Sequence, residues 1–471
     1  MKKSVMLIII LLFIASCGTT SKNKTEEKRI TVAYPLYVEN YQFKKDGYTF
    51  LARGINVAGN WKVKREPAIY PYLGTVTEGT FRWLREELGY NFVRMLAIWA
   101  AIEPEENKFN EEYVREYARR VSWAAKYNMY VFVDMHQDVY SEAFYKYWGD
   151  GAPPWTCPAR YYMNQPDMPT WEFGYLTGGP VACFKRFWTN EDNLWWHYGE
   201  AIRRILQPLA DNDHVVGLEI MNEPFWGPWG PETFEEKYLH KFYLYMGEII
   251  RKVAPRKIIF FEPAASRNLD FPTYLPPLPF PQLAYAPHFY PTDFFFGATY
   301  PGGMTDMIES ALRRRIGDGI ALNAVTIIGE FGAWVDERST VLYLKDFFNA
   351  AERLQLNIVQ WELTDVERKF KNSEGWSQWA RDEWIKTVIR AYPEMWKGKL
   401  IRFKYYPDKF KLHIVWQAKG GDDMIITLPH YIFKGKCNLS PADNLAMEWI
   451  NTYQIRVTAE KRGIFDFTVS R

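Results

Sequence analysis

The sequence predicts a (β/α)₈ barrel over residues 31–396, followed by a small β-sandwich over residues 397–471. Short β-rich runs alternate with longer amphipathic stretches between residues 49 and 361, the pattern of a parallel sheet covered by helices. Unusual polar residues fall in or just after these runs, and on a barrel of this kind functional groups gather at the C-terminal ends of the strands. Beyond Lys397–Lys399 the composition changes to alternating strands separated by Gly and Pro turns, which predicts the sandwich.

The eight runs are Thr49–Val57, Phe92–Ile98, Met129–Met135, Val215–Met221, Lys257–Phe261, Leu283–Pro287, Val325–Gly329 and Asn357–Gln360. Apolar residues recur every three or four positions in Glu111–Tyr127 and Phe234–Val253, which read as barrel helices, and Asp382–Tyr392 reads as the last one. Arg94 lies in the second run, and His136 follows the third. Asn222 and Glu223 follow the fourth, His288 the sixth, Glu330 the seventh and Trp361 the eighth. The sandwich strands read as Lys409–Trp416, Asp423–Leu428, Tyr453–Thr458 and Ile464–Val469.

The N-terminus has the features of an export signal. Met1–Lys3 are basic at their end, and Val5–Ser16 form an apolar run too short to span a bilayer. The run ends in Ile14-Ala15-Ser16-Cys17, similar to a bacterial lipobox, so residues 1–16 are expected to be removed and Cys17 lipidated. Residues 17–30 are polar and lack apolar periodicity, as in a flexible tether. The chain is therefore expected in the bacterial cell envelope, anchored to a membrane, with secretion as the alternative. Export permits disulfides. Cys157 and Cys183 share one long insertion and are compatible with a disulfide or with two buried thiols, while Cys437 stands apart.

Composition narrows the classes further. The 58 basic and 56 acidic residues leave a net charge of +2, too little to hold nucleic acid through counterion release. Aromatic residues make up 17% of the chain, which serves packing and also suits sugar rings and lipid tails. No Cys or His spacing suggests zinc, and Asp211–Asp213 lacks the Gly and distal Glu of a calcium loop, so no metal or organic cofactor is implied. The chain is expected to be a monomer.

Hydrolysis of a glycosidic bond requires one carboxylic acid to protonate the leaving oxygen and a second carboxylate to attack the anomeric carbon or activate water. Glu223 in Asn222-Glu223-Pro224 and Glu330 in Gly329-Glu330-Phe331-Gly332 each end an apolar run and offer such a pair. Arg53-Gly54-Ile55-Asn56, Val93-Arg94, Asp134-Met135-His136, Asn222-Glu223-Pro224, His288-Phe289-Tyr290, Gly329-Glu330-Phe331-Gly332 and Trp361 occur in this order. This series resembles glycoside hydrolase family 5. The resemblance implies a retaining mechanism with Glu223 as acid/base and Glu330 as nucleophile. It further implies that Asn222 holds the substrate 2-hydroxyl, Arg94 keeps Glu330 ionised, Tyr290 orients it, and Trp361 floors the reacting sugar. His136 and His288 are expected to contribute to substrate binding, and Glu219 and Glu262 read as structural partners.

Asp134-Met135-His136-Gln137-Asp138-Val139-Tyr140-Ser141 resembles the endoglycoceramidase branch, which cuts between glycan and ceramide. That resemblance implies glycan contacts from Asp138, from Trp188 in the Phe184–Trp188 segment with Asn190, and from Lys62 or Lys64. The loops Phe225-Trp226-Gly227-Pro228-Trp229 and Phe289–Tyr300, with Phe294-Phe295-Phe296, are expected to offer an apolar face to a lipid aglycone. Three alternatives remain at this point: an endo-β-glucanase or mannanase, a glucosylceramidase or sterylglucosidase, and a non-enzymatic glycan-binding surface lipoprotein.

Overall fold

The computed structural model describes residues 35–57, 62, 72–74, 76–291, 299–333 and 335–471. The expected signal, Cys17 and the tether lie outside these residues, as do Lys64 and Phe294-Phe295-Phe296.

Eight parallel strands close into the expected barrel. They are β4 (Arg53–Val57), β5 (Phe92–Ile98), β6 (Tyr130–His136), β7 (Val215–Glu219), β8 (Ile258–Phe261), β9 (Leu283–Tyr285), β10 (Val325–Ile328) and β11 (Asn357–Gln360). They pair in sequence order, and β11 returns to β4 to complete the ring. Helices between the strands carry local signals. The helix Glu111–Lys126 starts where the Asn110 side chain accepts the Tyr113 backbone N–H at 3.0 Å. The long helix read at Phe234–Val253 is divided: Glu235–Leu239 is a π-helical turn leading into the α-helix His240–Val253.

Alternation along the strands separates an apolar floor from a charged upper layer. Phe92, Phe132, Ile258, Phe260, Ala284 and Ala286 belong to one buried cluster. Two or four residues further along the same faces come Arg94, Asp134 with His136, Glu262 and His288, all buried. Phe132 and Phe260 stack at 4.3 Å between centroids.

The floor is finished by residues that the sequence reading had placed elsewhere. The run Thr49–Val57 is not one strand. Residues Tyr48–Phe50 form β3, which joins a sheet with β1 (Tyr37–Glu39) and β2 (Gln42–Lys45), and β4 begins only at Arg53. The break is held by two bonds: Leu51 N donates to Glu394 O and Ala52 N to Asn357 Oδ1. Phe43 and Phe50 pack into the barrel cluster from this sheet.

The remaining strands are β12 (Tyr392–Trp396), β13 (Lys399–Tyr406), β14 (Lys411–Ala418), β15 (Asp423–Thr427), β16 (Asn438–Ser440), β17 (Leu445–Asn451), β18 (Gln454–Ala459) and β19 (Gly463–Ser470). They form two antiparallel sheets ordered β1-β2-β3-β12-β15-β18-β17 and β13-β14-β19-β16. The sandwich thus draws on both ends of the described chain, and the boundary read at residue 397 shifts to before Tyr392. Tyr392 itself is strand, because the last helix runs Gln378–Val388 with Ser377 as its cap.

Barrel and sandwich are tied by a buried ion pair. Arg85 donates two bonds to Glu394, at 2.9 and 2.8 Å, and Glu394 also accepts from Thr427 and Gln454. Cys157 and Cys183 form a disulfide with Cα atoms 5.6 Å apart, and Cys437 is free. Removing one partner of a buried pair strands the other charge, so Arg85→Met is expected to destabilise the protein by about 3–5 kcal/mol in urea unfolding. A loss near zero would show that the pair does not couple the two parts.

Candidate active site

The site is built around Arg94. Its side chain is fully buried, and every nitrogen finds an acceptor. Nε donates to Glu219 Oε2 at 2.5 Å, and Nη1 donates to Glu330 Oε1 at 2.5 Å and to Asn56 Oδ1 at 3.0 Å. Nη2 donates to Asn222 Oδ1 at 2.8 Å, with Asp134 Oδ2 at 3.1 Å and Glu262 Oε1 at 3.4 Å. Burial opposes the charge on Arg94, but Asp134, Glu219, Glu330 and Glu262 outweigh it and hold the guanidinium well above its ordinary value. Burial in turn pushes Glu219 and Glu262 above the carboxylate range.

Glu330 has both oxygens engaged: Oε1 by Arg94, and Oε2 by the Tyr290 hydroxyl at 2.8 Å. It follows Gly329, where a Cβ would approach the His288 ring to 3.1 Å, so glycine lets β10 deliver the carboxylate beside that ring. Glu223 is reached differently. Its backbone is left-handed, with φ +40°, a conformation that costs a non-glycine residue about 1–3 kcal/mol. The Gln137 amide holds this bend by donating to Asn222 O and Glu223 O at 3.0 and 3.1 Å. The Glu223 carboxylate accepts from Asn268 Nδ2 at 2.6 Å and faces His288 Nδ1 at 2.7 Å, both on Oε1. Glu262 and Glu330 outweigh burial and raise His288 well above the usual histidine range, which makes its ring a donor.

One oxygen of Glu223, one of Glu330 and a nitrogen of His288 lie within 4.8 Å of one another. That spacing matches carboxylates about 5–5.5 Å apart and is too short for the intervening water of an inverting pair.

Beside the pair, Trp361 is half-buried and flanked by two cations. His136 stacks on it at 5.6 Å and an interplanar angle of 16°, and Lys62 Nζ lies 5.3 Å from its centroid. Lys62 pairs with Asp138 and lies 3.4 Å from Asp150. Burial pushes Asp150 up to about 7, whereas in Asp138 Lys62 and His136 outweigh burial and hold the carboxyl low. Burial also works against a charged His136, but Asp134, 2.7 Å from Nδ1, dominates and raises the ring to about 10.

Of the residues singled out from the sequence, Arg94, Asn222, Glu223, His288, Tyr290 and Glu330 meet in one hydrogen-bonded cluster, with Lys62, His136, Asp138 and Trp361 as its flank. Trp188 does not join them. It is 1% exposed, its indole N–H is spent on Phe225 O at 2.8 Å, and Phe187, Phe234 and Phe242 surround the ring edge-on. A sugar-contacting role for Trp188 is therefore corrected to core packing. Asp134 was readable from its alternation with His136, and Asn56 from its place at the end of β4. Asp150 and Asn268 lie in loops whose sequence carries no periodic signal.

The sequence model of the family described as cellulase, glycosyl hydrolase family 5, matches residues 44–367, a span that holds every residue of this cluster. The chain belongs to glycosyl hydrolase family 5. It is 28% identical over 224 residues to an endoglycoceramidase from Cyanea nozakii, covering 42% of this chain and 44% of that one. It is 27% identical over 254 residues to a glucosylceramidase from Aspergillus fumigatus, covering 40% and 32%. The chain thus spans less than half the length of either relative. Among solved structures, endo-glycoceramidase II from Rhodococcus sp. in complex with ganglioside GM3 superposes with a TM-score of 0.76 at 24% identity, over 92% of this chain and 99% of that one. Cryptococcus neoformans sterylglucosidase 1 gives 0.74 at 14% identity, over 92% and 96%. At these identities the likeness is one of fold.

The charge state of His136 is testable. Its raised value stabilises the folded state in full below the unfolded value of about 6.5, and this contribution is lost as the pH rises through about 10. Nitrogen NMR of the ring is expected to show both nitrogens protonated at pH 8. Loss of the proton near the unfolded value would overturn the ion cluster around Trp361.

Proposed function

We propose that this protein is a retaining β-glycosidase that cleaves between the glycan and the lipid aglycone of glycosphingolipids. The observation that carries the retaining mechanism is the approach of Glu223 and Glu330 to within 4.8 Å. In the first step Glu223 gives its proton to the glycosidic oxygen as the bond to the anomeric carbon breaks and a Glu330 oxygen bonds to that carbon. In the second, Glu223, now a carboxylate, takes a proton from water while the water oxygen displaces Glu330. One water is consumed, and both carboxyl groups return to their starting states.

The roles of the neighbours follow from their bonds. Arg94 and Tyr290 fix the orientation of Glu330 with one donor on each oxygen. Asn222 spends one amide N–H on Gln137 O, and the second is available to the substrate 2-hydroxyl. Trp361 offers a stacking face, and Lys62, His136 and Asp138 supply donors and an acceptor at the sugar's edge.

The lipid aglycone is supported by the names of the relatives, which join a sugar to ceramide or a sterol. It is also supported by the loop Phe225–Trp229, which follows the acid/base in sequence and leaves Trp226 and Trp229 partly exposed. Export and a lipid on Cys17 complete the reading, in which a monomer held at a membrane meets a membrane-borne substrate.

Glu330→Gln is expected to lower kcat by at least about 10⁴-fold while leaving circular dichroism unchanged. The unmodified protein is expected to release intact lactose from lactosylceramide and to leave cellopentaose almost untouched. Preference for cellopentaose would move it to the polysaccharide-cleaving members of family 5.

A further inference from the structure

We infer that Asn268 is a positioning residue that decides which oxygen of Glu223 carries the transferable proton. This rests on Glu223 being the acid/base. The amide of Asn268 donates to Glu223 Oε1 at 2.6 Å, and His288 Nδ1 lies 2.7 Å from the same atom. A carboxyl oxygen offers two in-plane lone pairs, and here both are taken by N–H donors. A proton on Oε1 would confront both donors, so it resides on Oε2. Without Asn268 the carboxyl torsion, which has only a broad two-fold preference, is held from one side alone.

The place of Asn268 is itself strongly determined. It lies in the short turn Ala265–Leu269 after β8, between two anchors. On one side Ala265 N donates to Pro224 O, which ties this turn to the acid/base loop through the backbone. Glu235, in the π-helical turn, accepts from Ala264 N at 2.7 Å and from the Thr273 hydroxyl and Tyr274 N beyond the turn. On the other side Arg267 Nε donates to Asp318 at 2.8 Å and Nη1 to Asp270 at 2.9 Å, and Arg315 Nη2 donates to Arg267 O at 2.7 Å. Ala264, Ala265 and Arg267 are therefore fixed by charge or backbone bonds, and the half-buried Asn268 among them faces one carboxylate oxygen. The π-helical turn that places Glu235 interrupts an otherwise regular helix, an irregularity often found at functional sites.

The same bond acts in the second step. It keeps Oε2, bared by the first proton transfer, turned toward the attacking water. Loss of the amide should impair proton donation through misorientation, most strongly where the leaving group depends on that proton.

The test uses the full chain and two aryl β-lactosides. Dinitrophenyl lactoside loses its leaving group unprotonated, whereas methoxyphenyl lactoside needs the proton. Asn268→Ala is expected to slow glycosylation by methoxyphenyl lactoside at least about tenfold and by dinitrophenyl lactoside less than about twofold. Asn268→Asp keeps the volume but replaces the donor with an acceptor, so the same loss confined to methoxyphenyl lactoside is expected even if Asn268→Ala folds poorly. Equal losses on both substrates in both variants would reduce Asn268 to a structural residue. Glu223→Ala separates the two ideas: it should spare the dinitrophenyl burst and abolish turnover of methoxyphenyl lactoside. If it spares or abolishes both, the acid/base assignment fails whatever Asn268 does.

Discussion

Arg94 carries its charge inside a parallel barrel where no water reaches it. An isolated ion there would lose several kcal/mol of hydration, so the arrangement is tolerable only because acceptors converge on it from five strands or the residues just after them. Asn56, Asp134, Glu219, Glu262 and Glu330 come from segments far apart in the chain, and all five meet at this one side chain. The guanidinium is thus a template for the upper layer of the barrel. Its planar fork sets the directions from which these side chains can approach. Glu330 is one of the groups it orients, which makes the geometry of the proposed nucleophile a by-product of satisfying a buried cation.

The two glutamates differ in how their oxygens are used. Both oxygens of Glu330 accept from strong donors, Arg94 and Tyr290, whereas the donors to Glu223 fall on a single oxygen. Glu223 is also the more exposed of the two, at 15% of its side chain against 7%. A group that must accept and release a proton needs one oxygen open, and a group that must stay ionised gains from having both held. The asymmetry is written in the neighbours, since the two residues are chemically identical.

Much of this was legible in the sequence, for a specific reason. Period-two alternation and the placement of Arg94, His136, Glu223, His288 and Glu330 at strand ends are local patterns, and a closed barrel converts them directly into convergence. What escaped notice depended on contacts that no local pattern encodes. Trp188 reads as an aromatic that could meet a sugar, yet an amphipathic helix turned its face into the core. Asn268 sits in a turn without periodicity, and only the fold brings it to Glu223. The run Thr49–Val57 has uninterrupted β character, and its division at Leu51 and Ala52 is imposed by bonds to Glu394 and Asn357, more than 300 residues away.

That division bears on how such a chain can be inherited. Three of the seven strands in the larger C-terminal sheet precede the barrel in sequence, and the other four follow it. A recombination event that moved only the last stretch of the gene would deliver a sheet lacking β1 to β3, and would leave Phe43 and Phe50 under a barrel with nothing to continue them. The sandwich is therefore not an exchangeable module in the manner of an appended carbohydrate-binding domain. Moving it intact would require the segments on both sides of the barrel to move together.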